Sequence, residues 1–147
     1  MHLYALNTNP QSLVFYDLNK KEKIKTLNNL NLESSYISRI IKLNDDEVAI
    51  AGNKKVYLID INNYLILNEI NSDCLNQCIL KLSNNLFLIG DDKGTISQYK
   101  IENKRIIKES YKIKSHENYI NSMTLLNDMI ISGNGSNNEI KIWKEIK

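Results

Sequence analysis

Few residues of this chain have the types and spacing that site chemistry requires. The candidates are two cysteines, Cys74 and Cys78, one histidine, His116, and the acidic pair Asp91-Asp92. The cysteines lie four residues apart, with no further cysteine and only His2 as a second histidine. A closed zinc site needs four such ligands, so we interpret the cysteines as free thiols.

Neither His116 nor the acidic pair is predicted to take part in catalysis or metal binding. A histidine that acts as a general base needs a nucleophile and an orienting carboxylate beside it, and no such motif surrounds His116. The segment Asp91-Asp92-Lys93-Gly94 is a common turn composition between strands, and the Lys93 charge opposes a bound cation. We therefore expect a protein with no catalytic residue, no metal site and no cofactor.

Composition and charge exclude further classes of function. The chain has 147 residues, 42% of them hydrophobic, which suits one domain over residues 1–147 with a real core. The net charge is only +2 and charges of both signs are interspersed, so binding to nucleic acid or to a membrane surface is not expected. No membrane-spanning run or signal peptide is visible, and the predicted location is cytoplasmic.

The elements that position these residues repeat along the chain. Four short strands end in an apolar or aromatic residue followed by a charged one, at Tyr16, Ile59, Tyr99 and Trp143, which lie 43, 40 and 44 residues apart. A period near 40 residues with several short strands in each unit is typical of a β-propeller.

Other strands keep the same phase. Three apolar strands end at Gly52, Gly90 and Gly133, which lie 38 and 43 residues apart, each just before a polar turn. Another apolar run precedes each of these strands, and a more polar, alternating run follows each charged strand end. These more polar, alternating runs are residues 23–27, 64–69 and 104–109.

Each full unit is therefore four antiparallel strands, and the predicted fold is all-β: a partial β-propeller of four-stranded antiparallel blades. We count about fourteen strands, or about three and a half blades. The predicted units are residues 1–30, which lack a first strand, 36–70, 75–110, and 116–147, which lack a fourth strand.

The third and fourth units resemble WD40 repeats most closely, and the sequence motifs of that family lie in the last unit. Ser115-His116 stands where that family has Gly-His, Ser132-Gly133 where it has Ser-Gly, and Trp143-Lys144 where it has Trp-Asp. The resemblance implies a buried hydrogen-bond chain through His116, Ser132 and Trp143, with Asn137 or Asn134 in place of the family's aspartate. It also implies a structural role for His116.

The same resemblance implies a non-catalytic protein–protein interaction scaffold. The alternative is a substrate-recognition module of a ubiquitin ligase or of another multiprotein complex. Its contact surface, here called the narrow face, would comprise the start of each first strand and the adjoining turns: Tyr36, Ser38, Arg39, Leu75, Asn76, Gln77, Tyr119 and Asn121. Tyr36 and Tyr119 fit equally well as packing between blades.

A propeller needs closure, because an open blade exposes faces meant for its neighbours. Three explanations remain for a chain of fewer than four blades: the C-terminal part of a larger propeller, closure by self-association, or an open arc capped by a partner. The first is our expectation.

Overall fold

The computed structural model of the chain describes residues 2–8, 11–28, 30 and 39–144. These residues form fourteen strands and no helix, so none of them belongs to a helix that could cross a membrane. The strands make four antiparallel sheets, and neighbours in sequence are also neighbours in each sheet. Short polar turns produce this meander, because antiparallel strands need only a few residues to connect them.

The four sheets follow one another along the chain. Sheet 1 contains β1 (His2–Thr8), β2 (Gln11–Asp17) and β3 (Glu22–Asn28). Sheet 2 contains β4 (Arg39–Lys42), β5 (Glu47–Ala51), β6 (Lys55–Asp60) and β7 (Leu65–Asn71). Sheet 3 contains β8 (Asn76–Ser83), β9 (Leu86–Asp91), β10 (Thr95–Glu102) and β11 (Arg105–Lys114). Sheet 4 contains β12 (Ile120–Leu126), β13 (Met129–Asn134) and β14 (Ile140–Lys144). The prediction of a partial propeller of four-stranded antiparallel blades is confirmed.

One strand is longer than its predicted counterpart. Strand β11 continues to Lys114, beyond the alternating run at residues 104–109 that predicted it. The register between β10 and β11 shifts between Ser97 and Tyr99, and beyond this bulge the pairing continues until Thr95 meets Lys114. A bulge adds unpaired residues to one strand, so sequence spacing alone underestimates the length of β11.

Successive residues of the middle strands point alternately to the preceding and the following sheet. In β5, Val48 and Ile50 belong to the apolar cluster between sheets 1 and 2, whereas Ala49 and Ala51 belong to the cluster between sheets 2 and 3. Side chains of a strand alternate between the two faces of its sheet, and here both faces are covered. Because both faces are covered, the sequence of β5 is a continuous apolar run rather than an alternation of apolar and polar residues.

The cluster between sheets 2 and 3 fits small residues against large ones. The rings of Phe87 and Tyr99 stack with centroids 5.5 Å apart and planes 8° apart. Both belong to the same cluster as Ala49 and Ala51 of sheet 2. The cluster thus combines small and large side chains, as dense packing of a protein interior requires. Full burial of a side chain such as Phe87 stabilises the fold by about 1.5–3 kcal/mol.

The outer face of sheet 4 differs from the covered faces. The strand register places Leu126, Ile140 and Ile142 on the face that points away from sheet 3, and they are 53%, 71% and 63% exposed. Val56 and Leu58, at the same positions as Ile140 and Ile142 in sheet 2, are fully buried because sheet 3 covers them. Sheet 4 thus presents an apolar outer face to solvent.

The charged residues Asp17 and Asp60, at the ends of β2 and β6, have a structural role. The Oδ1 atoms of Asp17 and Asp60 each accept the backbone N–H groups two and three residues later, at 2.9 and 3.2 Å in sheet 1 and at 2.9 and 2.8 Å in sheet 2. The hydrogen bonds from Asn63, its side chain first, lower the pKa of Asp60. Lys100 and Lys144 occupy this position in sheets 3 and 4 and cannot accept such bonds.

Candidate functional site

A chain of three hydrogen bonds links four side chains of sheet 4 and the loop before it. His116 Nε2 lies 2.8 Å from Ser132 Oγ, and His116 Nδ1 lies 2.8 Å from Glu139 Oε2. Trp143 Nε1 donates to Ser132 Oγ at 2.9 Å. Ser132 lies in β13 and Trp143 in β14, so the chain connects the loop to two strands.

A neutral imidazole with its proton on Nδ1 satisfies all three bonds at once. The indole N–H of Trp143 can only donate, so Ser132 Oγ accepts from it. The Ser132 hydroxyl then donates to His116 Nε2, and the Nδ1–H donates to the Glu139 carboxylate. Every polar atom in the chain therefore has a partner of the right kind, which burial demands.

The prediction of Asn137 as the fourth member of this hydrogen-bond chain is wrong. Asn137 is an exposed turn residue, and Glu139, two residues later, accepts the bond from His116. The other candidate, Asn134, is buried and uses its Oδ1 to accept from the backbone N–H of Ser136 at 2.7 Å. A carboxylate makes a stronger hydrogen bond than an amide, which favours glutamate at this place.

Hydrogen bonds hold the Glu139 carboxylate in its ionised form. The pKa of Glu139 is lowered first by the hydrogen bond from His116 and then by that from Lys141, whose Nζ lies 3.1 Å from Oε1. Lys141 Nζ also donates to the backbone carbonyl of Ser115 at 2.8 Å. A sequence signal for Glu139 does exist, since it is the one acidic residue between Gly133 and Ile140.

Hydrogen bonds connect Ser132 to His116 and His116 to Glu139, as in a serine–histidine–acid triad. The geometry, however, gives a substrate no access to these side chains. Ser132 is fully buried and His116 is 2% exposed. The Ser132 Oγ already accepts the Trp143 N–H, so its approach side is occupied. This arrangement positions a loop rather than a nucleophile.

The same loop is anchored to sheet 3. The carbonyl oxygen of Gly94 accepts the N–H groups of Ser115 and His116 at 2.9 and 3.0 Å, and the Ser115 hydroxyl donates to it at 3.2 Å. Gly94 has φ +76°, which glycine adopts without strain. The loop before sheet 4 is therefore tied to both sheets that it connects.

Sheet 3 has a cavity where sheet 4 has its hydrogen-bond chain. Ile89 and Tyr99 occupy the places of Ser132 and Trp143, as the strand registers show. Ser72 precedes β8 at the same distance in sequence as His116 precedes β12. All three side chains line a cavity of about 150 Å³. Burial raises the pKa of the Tyr99 hydroxyl, which makes a hydrogen bond with Ser72.

The structure brings some predicted narrow-face residues together. Arg39 begins β4 and is exposed, and its Nε donates to the backbone carbonyl of Gln77 in β8 at 3.4 Å. Leu75 is half-buried, and its N–H donates to Asp92 Oδ1 at 3.1 Å. Tyr36 and Ser38 lie outside the described residues.

Asn121 lies in β12 of sheet 4 and Tyr119 directly precedes this strand; both are exposed. The Tyr119 ring lies against Gly135, where an added Cβ would come within 2.0 Å of the ring. The N–H of Gly135 donates to the Tyr119 carbonyl at 3.3 Å. The turn therefore holds the Tyr119 ring in place while leaving the side chain 38% exposed.

The prediction that Asn76 contacts a partner protein is wrong, because this residue is buried. Its Nδ2 donates to the carbonyl oxygens of Gly52 at 2.7 Å and Lys55 at 3.2 Å, and its Oδ1 accepts from the Ser72 hydroxyl at 2.9 Å. The register shifts between Asn76 and Cys78, and this bulge turns the side chain inward. Asn76 connects sheet 3 to sheet 2.

The cysteines and the acidic pair have structural surroundings. Both thiols are free, and burial raises the pKa of Cys78 to about 12. Asp91 Oδ1 accepts the backbone N–H groups of Lys93 and Thr95 at 2.9 and 2.8 Å, so this carboxylate caps its turn. Within the described ranges, no group of three or more His, Cys, Asp or Glu side chains is placed to hold a metal ion.

Solved structures that are similar to this chain include a natural protein and two designed ones. A chain of the mitotic checkpoint complex superimposes with a TM-score of 0.82 at 11% identity, over 99% of this chain and 46% of that one. The computationally designed Ika4 protein gives 0.66 at 14% identity, over 90% of this chain and 79% of that one. The designed Ika8 protein gives 0.71 at 13%, over 98% and 43%.

This chain thus spans less than half the length of the checkpoint-complex and Ika8 chains. No protein-family model matches the sequence, and no curated protein matches it. At these identities the likeness to solved structures concerns the fold, and it agrees with the partial β-propeller that the four sheets form.

Proposed function

We propose that the chain is a non-catalytic, cytoplasmic protein-interaction scaffold of the WD40 type, and that its narrow face contacts a partner protein. The observation that carries this proposal is the contact between Arg39 and Gln77. Their strands, β4 and β8, are the first strands of adjacent sheets, and they lie side by side. The contact holds an exposed guanidinium over the junction of the two sheets.

Tyr119 supplies a second anchor beside the next junction. Its ring is held against Gly135 and is still 38% exposed. Arginine and tyrosine are enriched among the residues that carry most interface energy. A side chain that is already positioned loses less conformational entropy on binding, so both residues suit a recognition surface.

Three further observations support a binding role. The fully buried Ser132 and the nearly buried His116 offer no accessible nucleophile or base. The checkpoint-complex chain of similar fold comes from an assembly of proteins. The near-neutral charge favours a protein partner over a nucleic acid.

The experiment compares partner recovery between matched variants by quantitative affinity purification from the source cells. The test variant carries Arg39→Ala and Tyr119→Ala. The control carries Arg105→Ala and Tyr16→Ala, which remove the chain's other arginine, also exposed, and a tyrosine that is 36% exposed on sheet 1. Thermal melts of all three proteins confirm that each is folded.

We expect specific partners to remain bound to the control and to be lost from the test variant, with about tenfold weaker binding for each anchor removed. Equal recovery with both variants would exclude the narrow face as the contact surface. Turnover of a substrate by the purified chain would refute the non-catalytic assignment.

A further inference from the structure

Ser72 precedes sheet 3 as His116 precedes sheet 4. The backbone N–H of His116 donates to the Gly94 carbonyl at 3.0 Å, and the N–H of Ser72 donates to the Lys54 carbonyl at 2.7 Å. Gly94 directly precedes β10 and Lys54 directly precedes β6, which are equivalent strands of sheets 3 and 2. Ser72 is therefore bound to the neighbouring sheet as His116 is, but it brings no ring into the space beside it.

The cavity beside Ser72 is the space that this difference leaves. Its lining comes from sheet 3 and from the loop between sheets 2 and 3, and both sheets have four strands. Water takes about 30 Å³ in the liquid, so the cavity of about 150 Å³ has room for about five water molecules or one five-membered ring. Most of the lining side chains are polar, so an occupant must make hydrogen bonds.

A buried hydroxyl in this cavity has no partner from the described part of the protein. Ser97 is 7% exposed, and among the residues that the structure describes no group makes a hydrogen bond with its side chain. Buried side-chain hydroxyls are nearly always paired, so Ser97 Oγ requires a ligand or water as its partner. A hydroxyl can donate as well as accept, so Ser97 can donate to a ring nitrogen.

Hydrogen-bond acceptors lie at the place that Glu139 has in sheet 4. Thr95 and Glu139 occupy equivalent positions, since each directly precedes the first residue of β10 or β14 that pairs with the strand before it. The Thr95 hydroxyl and the Asp91 carboxylate both line the cavity and can accept an N–H group. The cavity therefore presents a donor and acceptors to one occupant, as the surroundings of His116 do.

The charges of the lining side chains balance. Lys108 Nζ lies 2.7 Å from Asp73 Oδ2, and Lys112 Nζ lies 3.6 Å from the same atom. With Asp91, the lining contains two lysines and two aspartates. An ion would lose its hydration here without meeting a net opposite charge, so a neutral polar occupant is favoured.

The cavity opens beside the narrow face. Asp73 lies in the loop that also carries Leu75, and its side chain is 73% exposed. Asp73 and the two lysines that it binds all line the cavity, so the exposed carboxylate marks its mouth. A side chain of a protein bound to the narrow face can therefore enter here.

We propose that the cavity binds the imidazole ring of a histidine of the partner protein. The ring lies against Ile89, accepts a hydrogen bond from Ser97 Oγ, and donates its N–H to Asp91 or Thr95. Among the side chains, only histidine has a ring with one donor and one acceptor nitrogen in its neutral form. The inference rests on the proposed function, because it assigns a side chain to the protein that contacts the narrow face.

The probe is imidazole, titrated into the full chain at about pH 8, where the ring is neutral. Backbone amide signals of the isotopically labelled chain are followed by NMR. 1-Methylimidazole is the matched control ligand, because its ring has the same acceptor nitrogen but no N–H. A second titration uses a peptide with one histidine between glycines, and its control peptide has leucine in place of the histidine.

We expect saturable shifts at Ser72, Ile89 and Ser97 with imidazole and with the histidine peptide, and binding at least about tenfold weaker with the two controls. Ser97→Ala removes the donor and should weaken imidazole binding about tenfold. Ser122→Ala, at an exposed position of sheet 4, should leave it unchanged. Ser72→His should abolish binding, because its own ring then fills the cavity as that of His116 fills the space in sheet 4.

Circular dichroism establishes that each variant is folded, and Ser97→Ala keeps the test decisive if Ser72→His does not fold. Absence of saturable shifts in the folded chain would overturn the proposal, and so would equal binding of 1-methylimidazole or an undiminished response in Ser97→Ala. A response to imidazole but not to the histidine peptide would assign the cavity to a free heterocycle and overturn the histidine side chain. None of these outcomes depends on Arg39 or Tyr119, so the proposed function can stand if this inference fails.

Discussion

His116 Nδ1 lies 2.8 Å from Glu139 Oε2, and this bond joins the loop that precedes sheet 4 to the start of its last strand. The histidine reaches the glutamate across the turn between β13 and β14, and it holds Ser132 with its other nitrogen. One imidazole thus connects three parts of the sheet. The first two predictions concern His116 and its hydrogen-bond partners.

Removing the carboxylate should destabilise sheet 4, whereas removing the nearby amide should not. We expect Glu139→Gln to lower the melting temperature, because a neutral amide accepts a weaker bond from His116 and loses the ion pair with Lys141. His116→Ala should cost about 2 kcal/mol, because Ser132 then loses a buried partner. Asn137→Ala is the control, and a loss as large as that of Glu139→Gln would contradict the assignment.

Stability should decline with acid, and Glu139 should account for part of the decline. The pKa values of Asp60 and Glu139 lie below their ordinary values of 3.8 and 4.5 in the folded chain. Such groups stabilise the fold above the ordinary value, and the contribution disappears as pH falls through the lower folded pKa. We expect urea midpoints to fall below about pH 4.5, and less steeply in Glu139→Gln.

Gly94 should tolerate no side chain. A Cβ there would lie 2.1 Å from the His116 carbonyl oxygen and 2.5 Å from that of Asn118, and the residue has φ +76°. We expect Gly94→Ala to destabilise the fold by about 2 kcal/mol or more, since both the backbone and the loop must move. A Cβ at Gly133 would meet only Ser122 Oγ, at 3.1 Å, so Gly133→Ala is the matched control. Chemical denaturation of both variants measures the difference in stability.

Truncation of equivalent side chains in sheets 2 and 4 should lower the free energy of unfolding by different amounts. Leu58→Ala removes a fully buried side chain from the cluster between sheets 2 and 3, and we expect a loss of about 2–5 kcal/mol. Ile142→Ala, at the same place in sheet 4, removes a side chain that is 63% exposed, so the loss should be within about 0.5 kcal/mol. Similar losses in the purified chain would mean that the outer face of sheet 4 is covered in solution.

The repeat spacing predicted the strands but not every side-chain direction. Tyr16, Ile59, Tyr99 and Trp143 lie in the equivalent strand of each sheet, which is β2, β6, β10 and β14, as their spacing indicated. These positions are visible in sequence because the apolar pattern of a strand and the turn after it are local features.

The errors arise where geometry depends on features that sequence does not reveal. The bulge between Asn76 and Cys78 reverses the expected direction of the Asn76 side chain. The longer turn between β13 and β14 brings Glu139, rather than Asn137, within reach of His116. Both outcomes depend on local backbone twist, which short polar segments specify only weakly.

Ala49 and Ala51 of sheet 2 share one buried cluster with the stacked rings of Phe87 and Tyr99 of sheet 3, so the two facing sheets contribute side chains of very different volume. The backbone repeats from sheet to sheet, but the volumes of the facing side chains do not. Exchanging sheet 3 with a sheet of equal backbone geometry would leave a void where the rings stood, or a clash where small residues are needed. The side-chain volumes at this interface therefore favour the order in which sheet 3 follows sheet 2.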